Sequence, residues 1–391
     1  MKKYLPIFFS VIFVFIYLLP RLKNITENIQ FRYDQGFQLI EVKEMVDSRQ
    51  PKLIGPSSSI SVDGRQFFTG AIYYYVLAIL GSFLSWSPLS ITIALIIIEL
   101  FFYLVFVNFL YKHYGHFTAI ISSILISFSP YLIYHSFFFW NPHFLIPLSI
   151  IFLIFRKNPY ISAFAWGLAF GFHYTAVFWL IPYLYFRVKN KQLNLKTIIF
   201  SIIIFLIANL PFLIFELRHQ FYNLKTIFII LTSSSNSFQT TPHYFIFSLL
   251  IFTIYFFIKI SQKINFPAYL LLLFFLFFKE SAVTKQALEL SYPEQNEIAK
   301  QIASACPEDY NIAVTNQGDT RAYNLRYLLS QRHCLPMDVE SYPQAKTLFL
   351  VAPSNSSPEN ETVWEVSTFK PFKITQQQKV SDNVIFYRLE K

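Results

Sequence analysis

Charged residues are scarce in this sequence and make up only 14% of its 391 residues, whereas soluble domains carry about a quarter. Hydrophobic residues make up 54% and aromatic residues 20%. These proportions exclude an ordinary soluble enzyme. They predict an all-α polytopic membrane bundle, in which one polar C-terminal part stands apart from the apolar remainder.

Motifs for common cofactors are also missing. The sequence has no phosphate-binding loop, no dinucleotide-binding glycine fingerprint after a strand, no HExxH and no CxxC. It has no internal repeat of the kind that marks inverted-repeat transporters. The net charge of +10 is attributed to anchoring of cytoplasmic loops and not to a nucleic-acid surface. We therefore expect no cofactor and no nucleic-acid partner.

The apolar runs predict about nine membrane spans. They cover residues 4–20, 67–86, 91–111, 117–134, 144–155, 160–186, 197–215, 244–260 and 266–278. Lys2 and Lys3 favour a cytoplasmic N-terminus, and the first run is interpreted as an anchor in the plasma membrane. An odd number of spans then places the C-terminal part outside the cytoplasm. Within 160–186, His173 and two glycines predict a break into two half-helices.

Residues 280–391 are predicted to form a soluble extracytoplasmic α/β domain, separate from a transmembrane domain over 1–279. Its predicted helices are 294–305 and 320–331, and its predicted strands are 311–315, 347–351, 363–369 and 384–389. Both cysteines, Cys306 and Cys334, lie here. They form a disulfide if this part faces an oxidising compartment, and two buried free thiols remain an equal alternative.

The first outer loop, 21–68, carries the segment Tyr33-Asp34-Gln35-Gly36 directly after the first span. Residues 34–46 predict a helix with two faces at a 3.6-residue period. Its apolar face holds Leu39, Val42, Met45 and Val46, and its acidic face holds Asp34, Glu41 and Glu44. Such a helix either lies in the membrane interface with the carboxylates upward, or is an ordinary solvated connector.

Ionisable and amide side chains recur within or beside the apolar runs. They are Glu99, His135, Asn141, His143, His173, Glu216, Arg218 and His219. Such groups usually face a cavity or a partner when they lie at membrane depth. The alternatives are histidines hydrogen-bonded between helices, a structural pair for Glu99, and simple charge anchoring for the basic residues.

Three stretches resemble the GT-C superfamily of polytopic glycosyltransferases, nearest to the protein O-mannosyltransferases and the lipid A aminoarabinose transferases. The first is the early acidic residue in Tyr33-Asp34-Gln35-Gly36. The second is the turn-rich Leu53-Ile54-Gly55-Pro56-Ser57, and the third is the Gly70-Ala71-Ile72-Tyr73-Tyr74-Tyr75 entry to the second span. The shorter Trp140-Asn141-Pro142, Gly171-Phe172-His173-Tyr174 and Phe215-Glu216-Leu217-Arg218-His219 are similar to segments of bacterial members.

The resemblance implies transfer of a sugar from a polyprenyl-phosphate donor to a protein, lipid or glycan acceptor at the outer leaflet, with inversion at the anomeric carbon. The family's catalytic acidic position maps to Asp34, which would act as general base. Candidates for binding the donor phosphate are Arg218, His219, Arg32 and Arg65. Candidates for the substrate cavity are Glu41, Tyr73, Asn141, His143, His173 and Glu216.

Two positions depart from the family pattern. Gln35 replaces a second acid, and Ala71 replaces a proline. The first departure removes the basis for a paired-carboxylate metal site, and a divalent cation held by Glu41 or Glu44 remains a secondary hypothesis.

Two other functions compete with the transferase. A transporter or flippase for a lipid-linked sugar would need a polar path, which the histidines His135, His143 and His173 suggest. A non-catalytic anchor would only display the C-terminal part for binding.

Overall fold

The structure is a computed structural model that describes residues 5–62, 64–232, 243–264, 290–316 and 318–391. The chain divides into two units. Unit 1 comprises Met1–Leu22 and Val42–Glu280, and unit 2 comprises Lys23–Glu41 and Ser281–Lys391. This division differs from the predicted boundary at residues 279 and 280, because it groups the first part of the outer loop with the C-terminal part.

The helices and strands are named in chain order. They are α1 (Leu5–Leu22), α2 (Ile25–Asn28), α3 (Tyr33–Ser48), β1 (Ile54–Val62), β2 (Arg65–Gly70), α4 (Ile72–Phe83), α5 (Pro88–Tyr114), α6 (His116–Phe128), α7 (Pro130–His135), α8 (Leu145–Ile154), α9 (Pro159–Phe172), α10 (Leu180–Lys189), α11 (Leu195–Ala208), α12 (Leu210–Arg218), α13 (Tyr222–Thr232), α14 (His243–Ile264), α15 (Tyr292–Ala305), β3 (Tyr310–Val314), α16 (Tyr323–Ser330), β4 (Thr347–Pro353), α17 (Trp364–Ser367), β5 (Lys373–Lys379) and β6 (Val384–Glu390).

Unit 1 is mainly helical, and in the described ranges two of its helices are long and apolar enough to cross a membrane. They are α5 and the Tyr244–Gln262 portion of α14. The pair α11 and α12, bent by 82°, makes a third if it is one span. The predicted number of nine is therefore not confirmed. The other apolar helices are shorter, and the predicted span 266–278 lies outside the described residues.

Caps and prolines explain why several apolar runs form shorter helices than the sequence predicted. Ser129 caps α7 and is followed by a proline, so the run 117–134 becomes two helices. Asn158 likewise caps α9, with Pro159 at its first position. The predicted break near His173 is confirmed, because α9 ends there and a 3₁₀ helix (Tyr174–Trp179) separates it from α10.

The predicted loop at residues 21–68 contains the predicted helix, α3, followed by an antiparallel hairpin of β1 and β2. The two predicted faces of α3 are confirmed, since Leu39, Val42 and Met45 are buried, whereas Asp34 and Glu44 are exposed. The hairpin was not predicted. Gly64 supplies the positive φ of 73° that its tight turn needs.

Unit 2 contains a four-stranded sheet in the order β3-β4-β6-β5. Strands β3 and β4 are parallel, and the other two pairs are antiparallel. The helices α15 and α16 accompany this sheet, so the predicted C-terminal α/β arrangement is confirmed. The core includes Leu348, Leu350 and Leu389.

One predicted strand of unit 2 was wrong. Residues 363–369 contain the short helix α17; Val366 within it and Phe369 just after it are fully buried. Apolar residues three apart fit a helical turn as well as a partly alternating strand, and packing against the core decides between them. The fourth strand is instead β5, a polar and largely exposed edge strand.

The structure joins Cys306 and Cys334 in a disulfide, with their Cα atoms 5.7 Å apart. This answers the question that the sequence left open. Cys306 follows the last residue of α15, and Cys334 lies just after α16, so the bond links the ends of the two helices in unit 2.

Candidate functional site

The predicted site residues divide between the two units. Arg32, Asp34 and Glu41 belong to unit 2, and the remaining predicted residues belong to unit 1. Each unit is therefore described by itself.

In unit 2, Asp34 lies in the first turn of α3, where the helix dipole favours a negative charge. Its side chain is exposed to solvent. Enough protein nevertheless surrounds the carboxyl for burial to raise its pKa, and the neighbouring Asp319 charge raises that pKa further. A carboxylate with this pKa binds and releases protons closer to neutral pH than an ordinary aspartate does.

Aromatic rings border Asp34. The rings of Tyr33 and Phe37 are stacked 6.0 Å apart, and each meets the ring of Tyr323 edge-on, at 5.0 and 5.1 Å. Tyr33 and Phe37 come from α3, whereas Tyr323 is the first residue of α16. The three rings therefore tie the start of α3 to the start of α16.

An arginine of the C-terminal part completes this region. Arg321 donates to the Tyr33 hydroxyl over 2.7 Å and to the Asp319 carboxylate over 2.6 Å. Its guanidinium also lies 5.1 Å from the centre of the Tyr33 ring. We call this region the α3 surface, defined by Tyr33, Asp34, Phe37, Asp319, Arg321 and Tyr323.

The pKa values of Tyr33 and Arg321 on the α3 surface also depart from their ordinary values. Burial, followed by the Asp319 charge, raises the pKa of the Tyr33 hydroxyl to about 12. The hydrogen bond to Asp319 raises the pKa of Arg321. Both groups therefore keep their protons at neutral pH, and Arg321 donates there to the Tyr33 hydroxyl and to Asp319.

Gly36 permits the close packing of α3 on α16. A Cβ atom at this position would lie 2.5 Å from the carbonyl oxygen of Tyr323 and 2.5 Å from the amide nitrogen of Asn324. Nearby, the Gln35 side chain accepts a hydrogen bond from the backbone N–H of Arg32 over 3.2 Å, as a residue at the third helical position does. Gln35 thus supports the start of the helix that carries Asp34.

No signal in the sequence indicated that Asp319 acts on Asp34 or that Arg321 contacts Tyr33 beside it. Asp319 and Arg321 follow Asp34 by 285 and 287 positions in the chain, and no local motif distinguishes them from other surface charges. Tertiary packing of α3 on α16 is what brings them together.

In unit 1, Arg65 and His219 share an aromatic cluster. Arg65 lies over the ring of Tyr222 at 5.3 Å, and His219 stacks on Phe215 at 4.2 Å. Phe68 of β2 contacts both of those rings. We call this region the hairpin corner, defined by Arg65, Phe68, Phe215, Glu216, His219, Tyr222 and Asn223. Arg218 is exposed at the end of α12 beside it.

Glu216 holds parts of the hairpin corner together through hydrogen bonds. Its carboxylate is buried and accepts hydrogen bonds from the backbone N–H groups of Asn223 and Leu224 and from the Asn223 side chain. These groups belong to the first turn of α13, where backbone donors lack helical partners. Asn223 in turn accepts from the backbone N–H of Phe68 over 2.8 Å. Glu216 thereby joins α12, α13 and the hairpin.

Three further residues predicted for the substrate cavity are buried inside unit 1. Asn141 donates to the Phe172 carbonyl over 2.7 Å. His173 pairs with the Thr175 hydroxyl at 2.9 Å and stacks on Tyr244. Tyr73 is fully buried and contacts Phe144. Of these contacts, the Asn141 bond joins two different elements, whereas the His173 bond is local to the start of the 3₁₀ helix.

His143 differs from those residues, because it lines a cavity in unit 1 together with Glu99. The structure also places His135 on this cavity. Glu99 has His143 and Tyr17 as neighbours at 3.7 and 3.2 Å, which agrees with the predicted structural pair for Glu99.

The described part of the chain contains no group of three or more His, Cys, Asp or Glu residues suited to hold a metal ion. Glu41, half-buried in α3, contributes instead to the electrostatic environment of Tyr323. No protein-family model, curated protein or solved structure matches the chain.

Proposed function

We propose that the protein is a membrane glycosyltransferase, which passes a sugar from a polyprenyl-phosphate donor to a protein, lipid or glycan acceptor. The observation that carries this proposal is the setting of Asp34. It is an accessible carboxylate with a raised pKa. The adjacent Tyr33 packs its ring on Tyr323 and accepts a hydrogen bond from Arg321. Aromatic surface beside a few oriented polar groups is typical of sites for small ligands.

Asp34 acts as general base in the proposed reaction. It removes the proton of the acceptor hydroxyl as the acceptor oxygen forms its bond to the anomeric carbon. The bond between that carbon and the phosphate oxygen breaks, and the lipid phosphate leaves with the electron pair. Attack on the face opposite the phosphate inverts the anomeric centre. A general base works best when its pKa lies near the working pH, and the raised pKa of Asp34 serves this purpose.

Negative charge grows on the lipid phosphate as it leaves, and cations stabilise it there. Our candidates are Arg65, Arg218 and His219, of which Arg65 and His219 share the hairpin corner. Arg32 remains a further candidate, at the start of α3. Since β2 and α12 fix the backbone of these residues, replacing Arg65 or Arg218 by alanine should weaken donor binding more than folding.

The candidate spans and the disulfide support the proposed location of this reaction, at the outer face of the plasma membrane. Two helices suited to cross a membrane agree with a multi-pass protein of the plasma membrane. Disulfides persist in oxidising compartments, so the Cys306–Cys334 bond supports an extracytoplasmic C-terminal part. The N-terminus is then cytoplasmic if the predicted odd number of spans holds.

The test is donor consumption by the full-length protein in liposomes, with polyprenyl-phosphate mannose and polyprenyl-phosphate glucose as probes. Asp34→Asn should lower the rate by about 10²- to 10⁴-fold, since general-base catalysis contributes that much. Asp47→Asn is the matched control, because Asp47 is exposed near the other end of the same helix. Wild-type rates in Asp34→Asn would refute the assignment.

A further inference from the structure

The cavity that Glu99 and His143 line lies wholly within unit 1. Its walls come from α1, α5, α6, α7, α8, α14 and the 3₁₀ helix Asn141–Phe144. About 30 Å³ of it can hold the centres of water molecules, and one water needs about 10–15 Å³ by this measure. The cavity is therefore large enough for one or two waters and too small for a sugar. We call it the Glu99 cavity.

Glu99 lies near the middle of α5, one of the two candidate membrane spans. Its carboxylate accepts a hydrogen bond from the Tyr17 hydroxyl over 3.2 Å. Its other oxygen is 3.7 Å from Nδ1 of His143. This separation is too long for a direct hydrogen bond, and it suits an ion pair or two groups bridged by water.

The second ring nitrogen of His143 is the unusual feature of the cavity. The side chain is only 3% exposed, and its Nε2 has no hydrogen-bond partner among the described residues. Buried polar atoms are nearly always paired with protein or with ordered water, and leaving one unpaired costs about 1–3 kcal/mol. A water molecule in the cavity would supply the missing partner.

Other charged and titratable groups facing Glu99 come from several elements. Arg21 of α1 is 1% exposed, donates to the carbonyls of Tyr17, Ile126 and Ser127, and lies 3.9 Å above the Tyr17 ring. Tyr103 of α5 and His135 of α7 complete the titratable lining.

The remaining lining is mostly apolar, with Phe247, Leu250 and Ile251 contributed by α14. Arg21 therefore offsets the negative charge of Glu99 from a fixed position. Any change in the Glu99 charge changes the attraction between these two groups, and so between α1 and α5.

We propose that the Glu99 cavity is a hydrated proton-binding site, in which Glu99 Oε1 and His143 Nδ1 face each other at 3.7 Å and share one exchangeable proton, while a bound water pairs with Nε2 of His143. The proton arrives from bulk water and converts the carboxylate into the neutral carboxylic acid. The O–H of that acid then points to Nδ1 of His143. Release returns the proton to solvent and restores the negative charge that faces Arg21.

This site does not depend on the proposed transferase reaction, because neither Asp34 nor any candidate for binding the donor phosphate lines the cavity. His143 was a candidate for the substrate cavity, but the cavity that it lines is too small for a sugar. Its effect is to couple the packing of α1 against α5 to the pH of the surroundings. Loss of the glutamate charge removes the nearby negative charge that offsets a buried guanidinium, which is costly in an apolar setting. A proton at this position therefore shifts unit 1 between two states of different stability.

The test is infrared difference spectroscopy of the full-length protein in lipid nanodiscs, titrated with acid in heavy water. Lowering the pH should produce a carboxylic C=O band that Glu99→Gln removes. Glu216→Gln is the matched control, since it replaces another buried glutamate of unit 1 and should leave the band. A wild-type spectrum in Glu99→Gln at every pH would overturn the proposal.

Two more variants keep the test decisive if Glu99→Gln does not fold. His143→Asn should move the midpoint of the titration, because it removes the group that shares the proton. Tyr17→Phe should keep the band but change its frequency, because it removes the hydroxyl that donates to the carboxylate. An unchanged midpoint in His143→Asn would show that the two groups do not share a proton and would refute the site.

Discussion

Two carboxylates that the sequence marks as site residues have opposite settings. Asp34 on the α3 surface is exposed, with aromatic rings and a second acid as neighbours. Glu216 in the hairpin corner is buried and accepts three hydrogen bonds from the first turn of α13. An accessible carboxylate is suited to exchange protons with a substrate, whereas a fully hydrogen-bonded one is suited to hold elements together.

The two regions also differ in what supports them. Unit 2 holds α3 against α16 by close backbone packing at Gly36, and the Cys306–Cys334 disulfide links the ends of α15 and α16. The hairpin corner depends on hydrogen bonds among Glu216, Asn223 and Phe68. This difference predicts which substitutions affect stability and which affect the proposed reaction.

The largest expected effect is loss of the disulfide in unit 2. The bond joins cysteines 28 positions apart, and closing a loop of that length is worth about 3.5 kcal/mol. Replacing both cysteines by serine should lower the unfolding free energy of unit 2 by about this amount. Thermal unfolding of the full-length protein with and without reductant measures it. Equal melting of wild type and variant under oxidising conditions would contradict the prediction.

The next effect compares the two carboxylates directly. Glu216→Ala leaves three N–H groups of the first α13 turn without their acceptor, and we expect a loss of about 3 kcal/mol. Asp34→Ala should change stability by less than about 0.5 kcal/mol, because its side chain is exposed. Melting curves in detergent test both. The contrast fails if Asp34→Ala proves as destabilising as Glu216→Ala.

Gly36→Ala should separate α3 from α16. The added Cβ meets backbone atoms of Tyr323 and Asn324, and such overpacking costs about 1–3 kcal/mol. The control is Gly318→Ala, whose Cβ meets no atom within 4 Å. We expect Gly36→Ala to melt earlier and to consume the polyprenyl-phosphate probes more slowly, while Gly318→Ala matches the wild type in both measurements.

The smallest expected effect is a shift in the pH dependence of the reaction rate. The Asp319 charge contributes to the raised pKa of Asp34, so Asp319→Asn should lower that pKa. A general base must be deprotonated, and its activity therefore falls as the pH drops through its pKa. The acid limb of the rate profile should consequently move to lower pH in Asp319→Asn and stay in place in Asp319→Glu. Identical profiles for wild type and Asp319→Asn would exclude this coupling.

The sequence predicted more of the elements than of the site. The structure confirms the helix at 34–46, which periodicity predicts, and the break at His173, which two glycines and an overlong apolar run predict. It also confirms three of the four predicted C-terminal strands. The hairpin of β1 and β2 was missed, because its serine-rich strand lacks a clear apolar alternation. The edge strand β5 was missed for the same reason, since its residues are mostly polar and exposed.

The site was harder to predict because its residues are distant in the chain. A short motif such as residues 215–219 places Glu216 beside Arg218 and His219, but adjacency does not show which side chain is buried. Asp319 and Arg321 carry no local signal at all. Their significance comes from the packing of one helix end on another.

The sequence by itself determined that this is a largely apolar, mainly helical chain with candidate membrane spans and a polar C-terminal part. The hydrophobic effect scales with the apolar surface of a whole segment, and that quantity can be read from the order of residues. Only the tertiary structure decided that Asp319 acts on Asp34 and that Arg321 contacts Tyr33. It also decided that Glu216 caps a helix and that His143 lines a cavity with Glu99. Charge and hydrogen bonding act over a few ångströms, and the sequence order does not specify distances on that scale.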